Sequence, residues 1–388
     1  MEKKTKRICF VTTIFQSMDW FVVDAARFLH KNGYDISLIC RMSDKFIRDN
    51  KDYAHCIHIP MNRGISILSS FKAIYKMYHI FKKEKYDIIQ YSTPNAALYA
   101  SIASWLARSP IRLYAQWGLR YEGLKGFKRR IFFTLEKLTC RLSTHVRAQS
   151  PKNMQIGIKS GLYTTDKVKV LGLGGTIGVS LTDYDLSKKT SFRKEIRERY
   201  GIKDRFVFGY IGRINADKGL NELTTAFRDI IENGGQQVLM LVGMIDDANP
   251  INSENLNWLK SSPQVIMTGN VTRKDVPRYL SAIDILVHPT YREGFGKVLQ
   301  EAMAMELPII TTNVPGPSEV IEGGKSGLLV PAKNTEALRI EMLHLYADKK
   351  LSQQLASAAR NRVETYFATP KMVANILQDM NNLIETRI

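Results

Sequence analysis

Short apolar runs alternate with longer helical patterns along the whole chain. Consecutive strand–helix units place their strands side by side in parallel, so the alternation predicts parallel sheets with helices on both faces. Strands are predicted near 8–12, 36–40, 57–59, 88–91, 112–115 and 145–148, then near 206–211, 237–242, 264–268, 283–287, 308–311 and 327–330. Helices are predicted near 19–31, 67–83, 96–107 and 127–142, and from about Lys218, Ser253, Arg273, Lys297, Pro317 and Asn334.

The length of 388 residues suits two domains better than one core. A glycine-dense stretch, 168–180, precedes the polar run 183–189 and marks the expected boundary. We therefore predict an α/β fold with two doubly wound, Rossmann-like domains, 1–180 and 181–365. A last helix, within 366–388, follows the aromatic pair Tyr366-Phe367.

The positive charge of the chain is concentrated in its first half. Residues 1–180 hold 30 lysines and arginines against 12 acidic residues, whereas residues 181–388 hold 26 against 25. Such polarisation predicts that the first half faces an anionic partner. A phospholipid surface, a lipid that carries a pyrophosphate and a nucleic acid all fit.

The sequence contains no apolar stretch approaching the ~20 residues that span a bilayer. The basic residues 1–7 lead directly into the first predicted strand without a signal-peptide core, so a cytoplasmic location is expected. The four cysteines lack metal-binding or CxxC spacing and are interpreted as buried free thiols.

One segment of the second half combines a strand, a glycine-containing loop and a helix. Glu293 lies in the loop and Glu301 lies eight positions later on the helix, so two helical turns bring the second carboxylate to about the same face. Gly294 and Gly296 leave backbone amides open at the helix start, which favours an anion. Carboxylates accept hydrogen bonds from sugar hydroxyls. A nucleotide sugar fits this combination.

Two cations follow the strand 206–211 on a neighbouring loop. Arg213 and Lys218 are five residues apart, a spacing that can clamp a diphosphate, although a solvated pair is an open alternative. Gly212 and Gly243 follow two of the predicted strands. Loops after parallel strands meet at the carboxyl edge of the sheet, so these residues are expected near the two glutamates.

The motifs GRINADKG, at 212–219, and EGFGKVLQE, at 293–301, resemble family 4 glycosyltransferases, whose hallmark is two carboxylates separated by seven residues. The flanking sequence is similar to the bacterial capsule and O-antigen branch of that family. The resemblance implies the GT-B fold, in which two Rossmann-like domains face each other across a cleft and the terminal helix crosses back to the first. It also implies a retaining, metal-independent transferase that needs no cofactor.

The resemblance assigns a role to each residue of the donor site. Glu301 is expected to bind the ribose hydroxyls and Glu293 the transferred sugar, with Arg213 and Lys218 neutralising the leaving diphosphate. The remaining donor-site residues are expected to hold the sugar and the distal phosphate through backbone amides and the helix N-terminus: Gly212, Gly243, Gly294, Phe295, Gly296 and Lys297.

The acceptor side departs from the family pattern. Many relatives carry a histidine after the fifth strand, where this chain has Gln116, Trp117 and Gly118, and the paired glycines common after the first strand are absent. We expect an acceptor site around Gln116, Trp117 and Arg120. Trp117 suits either stacking on a sugar or packing in the core.

Three residue types near the donor motif have structural interpretations. His288 precedes Pro289 at a strand end and is interpreted as structural because the sequence offers it no partner. Glu319 is predicted to cap a helix. Met303 and Met305 are predicted to lie in the core.

Two helical segments of the basic half are amphipathic. Segments 67–85 and 124–142 each place aromatic and aliphatic residues on one face among several lysines and arginines. They are interpreted as peripheral membrane-binding helices, since each charge near an anionic leaflet contributes about 1 kcal/mol. Ordinary domain helices with solvated basic faces are the alternative.

The sequence therefore predicts sugar transfer from a nucleotide donor, with a UDP-sugar the favoured one, to a polyprenyl-diphosphate-linked saccharide at the inner face of the membrane. A nucleotide-sugar epimerase or phosphorylase on the same scaffold is one alternative. A nucleic-acid-binding protein is another, although the basic residues alternate with buried-looking aromatics and match no nucleic-acid motif.

Overall fold

The computed structural model describes residues 5–61 and 67–386. Residues 1–4 of the basic N-terminus and residues 387–388 of the last predicted segment therefore lie outside the described residues. Contacts divide the chain into two compact units, Met1–Ile177 with Pro370–Ile388, and Gly178–Thr369.

The first unit is built on a parallel sheet of seven strands in the order β3-β2-β1-β4-β5-β6-β7. Its strands are β1 (Arg7–Ile14), β2 (Asp35–Arg41), β3 (His55–His58), β4 (Ile88–Tyr91), β5 (Ile111–Gln116), β6 (His145–Ala148) and β7 (Val168–Lys169). Its helices are α1 (Phe15–Phe21), α2 (Val23–Lys31), α3 (Asp44–Asn50), α4 (Ile67–Glu84), α5 (Pro94–Leu106), α6 (Gly126–Leu142) and α7 (Pro151–Lys159).

Alternate residues of β1 face opposite sides of this sheet, and each side has its own core. Cys9 and Val11 pack with residues of α4, α5 and α6, whereas Ile8 and Phe10 pack with residues of α1 and α2. Helices therefore cover both faces, as a doubly wound fold requires.

The second unit has a parallel sheet of six strands in the order β10-β9-β8-β11-β12-β13. Its strands are β8 (Val207–Ile211), β9 (Val238–Val242), β10 (Val265–Gly269), β11 (Ile285–His288), β12 (Ile309–Thr312) and β13 (Leu328–Val330). Its helices are α8 (Lys189–Arg199), α9 (Leu220–Glu232), α10 (Ser253–Ser261), α11 (Val276–Ala282), α12 (Lys297–Ala304), α13 (Pro317–Val320), α14 (Thr335–Ala347) and α15 (Lys349–Tyr366).

The last helix, α16 (Thr369–Glu385), packs on the sheet of the first unit. Ile376 and Met380 join the core on the α1 and α2 side of the sheet. Asp379 forms salt bridges with Arg147 and with Lys169, the latter at 3.1 Å. Arg147 and Lys169 hold the pKa of Asp379 below its usual range although burial opposes them. The helix is therefore joined to the first unit by both apolar and ionic contacts.

The predicted fold class is confirmed, since both sheets are parallel and strand–helix alternation runs through both units. The predicted helix 19–31 is wrong in one respect, because it is two helices separated at Val22, whose φ of −132° is not helical. Val22 and Val23 are both β-branched, which weakens helix propensity at the break. Three short or polar helices, α3, α7 and α8, and the longer α15 were not predicted.

Candidate active site

The loops that carry the predicted donor residues meet at one edge of the six-stranded sheet. Strands β8 and β11 are neighbours in the sheet although β9 and β10 lie between them in the sequence. The strand order therefore reverses between β8 and β11. Ligands of doubly wound sheets bind outside the carboxyl ends of the strands at such a reversal. The loops 212–219 and 289–296 follow these two strands.

Several contacts join the two loops into one surface. The amide of Tyr291 donates a hydrogen bond to the carbonyl of Asp217 at 2.9 Å, and Arg292 forms a salt bridge with the Asp217 carboxylate at 2.6 Å. Gly219 adopts a φ of +73° directly below Pro289, where a Cβ would lie 2.0 Å from the proline carbonyl oxygen. Only glycine allows this approach.

Lys218 and Glu293 form an ion pair across the two loops, with the lysine Nζ donating to Glu293 Oε2. Asn215 orients the lysine backbone, since its side-chain oxygen accepts a hydrogen bond from the Lys218 amide at 3.0 Å. Burial alone would raise the pKa of Glu293, but the charge of Lys218 and the hydrogen bonds from Lys218 and Gly294 outweigh it, and the pKa lies below its usual value. Glu293 is therefore a carboxylate at neutral pH.

His288 lies beneath this pair at the end of β11. Its ring stacks on Tyr210 with the centroids 5.7 Å apart, and it is only 2% exposed. Burial and, to a lesser extent, the positive charge of Lys218 lower the pKa of His288 to about 4. Its Nδ1 has no hydrogen-bond partner among the described residues. The ring is therefore neutral at neutral pH and packs as part of the support under Lys218.

Arg213 lies on the same loop but contacts a different carboxylate. Its guanidinium pairs with Asp246, which follows β9, at 2.5 Å, and Asn215 donates to the same carboxylate oxygen at 3.0 Å. Burial opposes ionisation of Asp246, yet the hydrogen bond from Asn215 and the charge of Arg213 lower its pKa. The arginine side chain is mostly exposed. Its fork is thus held at the surface by Asp246 with room for a further anion.

Gly212 and Gly243 bring the ends of β8 and β9 into backbone contact. The Gly212 amide donates to the Val242 carbonyl at 2.9 Å, and a Cβ on Gly243 would lie 1.9 Å from the Gly212 carbonyl oxygen. A side chain at 243 would therefore separate the two loops.

The glycine loop ends where α12 begins. Gly296, with a φ of +92°, is the N-cap residue, and as a glycine it supplies no side-chain cap to the first turn. The Phe295 ring is buried and packs edge-on against Phe367, so the phenyl group anchors the loop while its backbone lies at the helix start. Gly316 packs against the carbonyl groups of Glu293 and Gly294, at positions where a Cβ would lie 2.9 Å from each oxygen. The backbone of 293–296 is therefore fixed from both sides.

Glu301 lies in the second turn of α12 and is almost completely buried. Burial raises its pKa, against the opposing influence of Lys297, the Tyr184 hydroxyl and Arg273. Its Oε1 atom has no hydrogen-bond partner in the described part of the chain. A buried carboxylate oxygen without a donor is unfavourable by itself, and two adjacent hydroxyls of a ligand would supply such donors.

In the structure Lys218 contacts Glu293 and Gly212 contacts Gly243, whereas Arg213 forms its ion pair with Asp246. Glu293 contacts Lys218, whereas Lys297, the Tyr184 hydroxyl and Arg273 surround Glu301. Sequence reasoning missed Asp246, Asn215 and Tyr184. Asp246 follows directly on the Gly243 loop, which is a signal that could have identified it; Tyr184 lies in the polar run interpreted as a domain boundary.

One Asp-x-Asp triplet, Asp183-Tyr184-Asp185, occurs in the chain. Asp185 accepts a hydrogen bond from the Ser187 amide at 2.9 Å and so caps a short turn, while Tyr184 is buried. Among the described residues, there is no group of three histidine, cysteine, aspartate or glutamate side chains that could hold a metal ion.

The smaller structural predictions agree with the structure. Glu319 accepts a hydrogen bond from the Gly316 amide at 2.9 Å and caps α13. Met303 and Met305 are fully buried. The four cysteines are free thiols, of which Cys56 is partly exposed and the others are buried.

Comparison with known proteins identifies the family. Residues 7–150 match the family model described as glycosyl transferase 4-like, and residues 192–362 match the model described as glycosyl transferases group 1. CapM of Staphylococcus aureus, named a capsular polysaccharide biosynthesis glycosyltransferase, is 31% identical over 381 residues, which are 98% of this chain and 97% of that protein. The chain belongs to the family 4 glycosyltransferases.

Two further relatives agree with this assignment. An Escherichia coli protein named UDP-Gal:alpha-D-GlcNAc-diphosphoundecaprenol alpha-1,3-galactosyltransferase is 25% identical, with 90% of this chain and 89% of that protein covered. The crystal structure of Anabaena HepE in complex with UDP and glucose has a TM-score of 0.79 at 19% identity and covers 97% of this chain and 99% of that chain. This glycosyltransferase therefore has the GT-B fold, as its resemblance predicted.

Gln116, which was predicted for the acceptor site, lies at the end of β5 and is buried. Its amide nitrogen donates to Glu136 at 2.6 Å, and its oxygen accepts from the Tyr163 hydroxyl at 3.0 Å. Tyr114 donates to the same Glu136 oxygen at 2.9 Å. Burial raises the pKa of Glu136 against these hydrogen bonds. Gln116 is therefore the centre of a buried polar network.

Trp117 and Arg120 are not brought to the same cavity. Trp117 packs against Phe21, with ring centroids 4.9 Å apart, and lines a small cavity on the α1 and α2 side of the sheet. Arg120 lies over the ring of Phe132, with its guanidinium carbon 4.4 Å from the ring centroid, on the other side. Trp117 thus lies apart from the other two predicted acceptor residues, since Glu136, the partner of Gln116, lines the same cavity as Arg120.

Helices α4, α5 and α6 of the glycosyltransferase enclose a groove of about 830 Å³. We call it the apolar groove; most of its lining is aromatic or aliphatic, with the walls formed by Phe71, Ile74 and Tyr75 of α4, Leu98 and Ile102 of α5 and Phe132 of α6. No helix among the described residues is long and apolar enough to cross a membrane.

Proposed function

We propose that this glycosyltransferase moves a sugar from a nucleotide-sugar donor, a UDP-sugar, to a polyprenyl-diphosphate-linked saccharide with retention of configuration. The reaction would take place at the inner face of the cell membrane, in the synthesis of a capsule or another surface polysaccharide. The second unit would bind the donor, and the first unit would bind the acceptor and the membrane.

The donor assignment rests above all on the ion pair of Lys218 and Glu293 at the strand-order reversal of the six-stranded sheet. A cation and a carboxylate held in contact can separate toward two parts of one ligand, a phosphate and a sugar hydroxyl. Arg213 adds a second cation on the same loop, and the start of α12, whose N-cap residue is Gly296, adds backbone amides for an anion. HepE was crystallised with UDP, and the Escherichia coli relative is named for a UDP-galactose donor.

The environment of Glu301 favours a ligand that contains a nucleoside over a diphosphate alone. Its buried oxygen without a partner suits the adjacent hydroxyls of a ribose, since each hydroxyl can donate one hydrogen bond. The residue also follows Glu293 at the family's spacing of seven intervening residues.

The chemical step would join the acceptor oxygen to the anomeric carbon on the face from which the nucleoside diphosphate departs. The bond between the anomeric carbon and the diphosphate oxygen breaks, and its electron pair leaves with the diphosphate, which takes the acceptor proton. Lys218 and Arg213 would stabilise the negative charge that develops on the leaving group. A well-placed donor of this kind contributes about 3 kcal/mol in the transition state.

The lipid-linked acceptor is supported by three observations. The Escherichia coli relative is named for a diphosphoundecaprenol acceptor, and CapM is named for capsular polysaccharide synthesis. Most of the excess positive charge lies in residues 1–180. Phe127 at the start of α6 is 77% exposed among the consecutive cations Lys128, Arg129 and Arg130, a combination typical of peripheral membrane binding.

The test is a transfer assay with radiolabelled UDP-sugars and lipid-linked saccharides. We expect one donor to be consumed only when acceptor is present, and we expect Lys218→Ala and Glu301→Ala to reduce the transfer rate by about a hundredfold or more. Lys325→Ala and Glu254→Ala are matched controls, because Lys325 and Glu254 are exposed residues of the same unit with ion-pair partners of their own.

Near-normal transfer by Lys218→Ala or Glu301→Ala would refute the donor assignment. Isomerised sugar formed without any acceptor would favour an epimerase instead.

A further inference from the structure

We infer that the apolar groove binds the isoprenoid chain of the acceptor's polyprenyl diphosphate. The inference rests on the proposed function and adds the place where the lipid part of that substrate lies. The groove belongs entirely to the first unit and is separate from the small cavity beside Trp117.

The size and lining of the groove suit a hydrocarbon chain. Its volume of about 830 Å³ lies within the range of small-ligand sites. Ile74 and Leu98 face it from two helices and Phe132 from a third, whereas Met77 and Phe81, one and two turns further along α4, are buried in the core below. The residues that line the groove therefore form an apolar layer on a core that is already complete. Folding does not require the groove to stay open.

Large apolar side chains at the groove are exposed to an extent that a soluble surface disfavours. Phe71 is 66% exposed, Tyr75 is 65% exposed and Leu106 is 48% exposed. Contiguous exposed apolar surface next to a cavity marks a binding site for another apolar molecule. Lys72 and Lys76 alternate with the two aromatic residues on α4 and are themselves exposed, so the rim is cationic.

The groove has a polar end and an apolar end. It follows α5 from Pro94 to Leu106, a helix that is about 20 Å long at 1.5 Å per residue. Pro94 lies just after the carboxyl end of β4, and Arg120 lies just after the carboxyl end of the adjacent strand β5. The cation is therefore at the sheet edge where strands end, and the opposite end is marked by the exposed Trp105 and Leu106.

This polarity matches a polyprenyl diphosphate. The diphosphate would lie by Arg120 and the cationic rim, and the chain would extend along α5 toward Leu106. The carboxyl group of Glu136 also lines the groove, so the cations that would meet the diphosphate are Arg120 and the exposed lysines of the rim. Charge complementarity to these cations favours a lipid that carries a diphosphate over a phospholipid with one phosphate.

The experiment measures binding to phosphatidylcholine–phosphatidylglycerol nanodiscs with and without undecaprenyl phosphate. We expect wild-type protein to bind the discs that contain undecaprenyl phosphate more tightly by about tenfold, which corresponds to about 1.4 kcal/mol. Ile102→Trp fills the groove and should abolish that preference. Ile340→Trp makes the same change at an exposed position of the second unit and should retain it.

A parallel measurement separates this inference from the proposed function. The rise in melting temperature caused by UDP reports on the donor site and should be the same in wild type and Ile102→Trp, which also shows that the variant is folded. Tyr75→Ala, at an exposed position on the rim, should weaken the preference without affecting the core.

Equal binding of wild-type protein to discs with and without undecaprenyl phosphate would overturn the inference, as would an unchanged preference in Ile102→Trp. A dimer that Ile102→Trp dissociates in sedimentation would assign the groove to a second copy of the chain and overturn it as well. If UDP produced no shift in wild type while the lipid preference held, the donor assignment would fail and the groove would stand.

Discussion

The two units of this glycosyltransferase share one strand order around β1 and β8 but differ where that order reverses. Beside the reversal in the second unit, Gly212 after β8 and Gly243 after its other neighbour β9 bring two loops into backbone contact, and Lys218 and Glu293 pair across the loops that follow β8 and β11. At the reversal in the first unit, β1 runs directly into α1 and the hydroxyls of Thr13 and Thr93 are hydrogen-bonded at 2.8 Å.

The strand order therefore specifies where a crevice lies but does not specify which chemical groups line it. The glycine-lined reversal exposes backbone and charged groups to an anionic ligand. The threonine-paired reversal satisfies its own polar groups, and the apolar groove of the first unit lies between helices on one face of the sheet instead. We therefore propose that the second unit recognises a charged, hydroxyl-rich donor and that the first recognises a lipid.

The largest expected effect comes from adding a side chain at Gly243, beside the strand-order reversal of the second unit. Gly243→Ala should lower the free energy of unfolding of the second unit by roughly 3 kcal/mol, because the new Cβ would meet the Gly212 carbonyl oxygen at 1.9 Å. The UDP-induced rise in melting temperature should also disappear. Gly234→Ala is the control, since Gly234 has a φ of +88° but no atom within 4 Å of the added Cβ; it should cost only about 1 kcal/mol. Equal effects of the two substitutions would contradict the close approach.

Many elements of both units could be predicted from the sequence. Parallel strands buried on both faces are nearly continuous apolar runs, so β4, β6 and the strands of the second unit were predicted within about two residues. The motif from Glu293 to Glu301 predicted a strand, a loop and a helix beginning at Lys297, and the helix does begin there. Local patterns carry this information because the geometry of each element fixes the spacing of its buried side chains.

The rest depends on contacts between distant segments. Lys218 pairs with Glu293 because Tyr291 and Arg292 bond to Asp217, a register that no local pattern specifies. The helix α8 was missed because its exposed, charged sequence resembles a linker. By contrast, α7 carried a readable signal, Ser150 before Pro151, in which the serine caps the helix by accepting from the Asn153 amide.

The next effect concerns the buried polar network of the first unit. Gln116→Ala should lower the free energy of unfolding of the first unit by about 2 kcal/mol, because Glu136 and Tyr163 would each lose a hydrogen bond in a buried site. The measurement is chemical denaturation followed by a probe in the first unit, with the exposed Gln155→Ala as control. The UDP-induced shift should not change. If Gln116→Ala kept normal stability but raised KM for the acceptor, Gln116 would contact substrate instead of serving the network.

A pH-dependent effect of similar size is expected in the second unit. The folded pKa of His288, about 4, lies below the ~6.5 of an unfolded histidine, so the unfolded chain binds the proton first as the pH falls. The contribution of neutral His288 is complete above about pH 6.5 and is lost toward pH 4. Between pH 7 and pH 5 the wild type should therefore lose about 2 kcal/mol more than His288→Gln. Denaturation at both pH values measures the difference, and the exposed His79→Gln serves as control. Parallel pH profiles of wild type and His288→Gln would show that the ring is not held neutral.

The smallest effect is expected at the threonine-paired reversal. Thr93 has a φ of +65°, a strained value for a β-branched residue, but its hydroxyl oxygen accepts from the Thr13 amide at 3.0 Å and contacts the Thr13 hydroxyl. Thr93→Gly removes about 1 kcal/mol of strain, loses hydrogen bonds of about the same worth and adds the chain entropy of glycine. The net change should stay within about 1 kcal/mol.

Thr93→Ala keeps a Cβ at this positive φ and removes the hydroxyl together with the γ-methyl, so it should be less stable than Thr93→Gly in the same denaturation experiment. That order would mean that the hydroxyl pair offsets the strain and that the first reversal is closed by its own side chains. The opposite order would mean that the backbone at Thr93 is not strained, and the first reversal would then be as open to a ligand as the second.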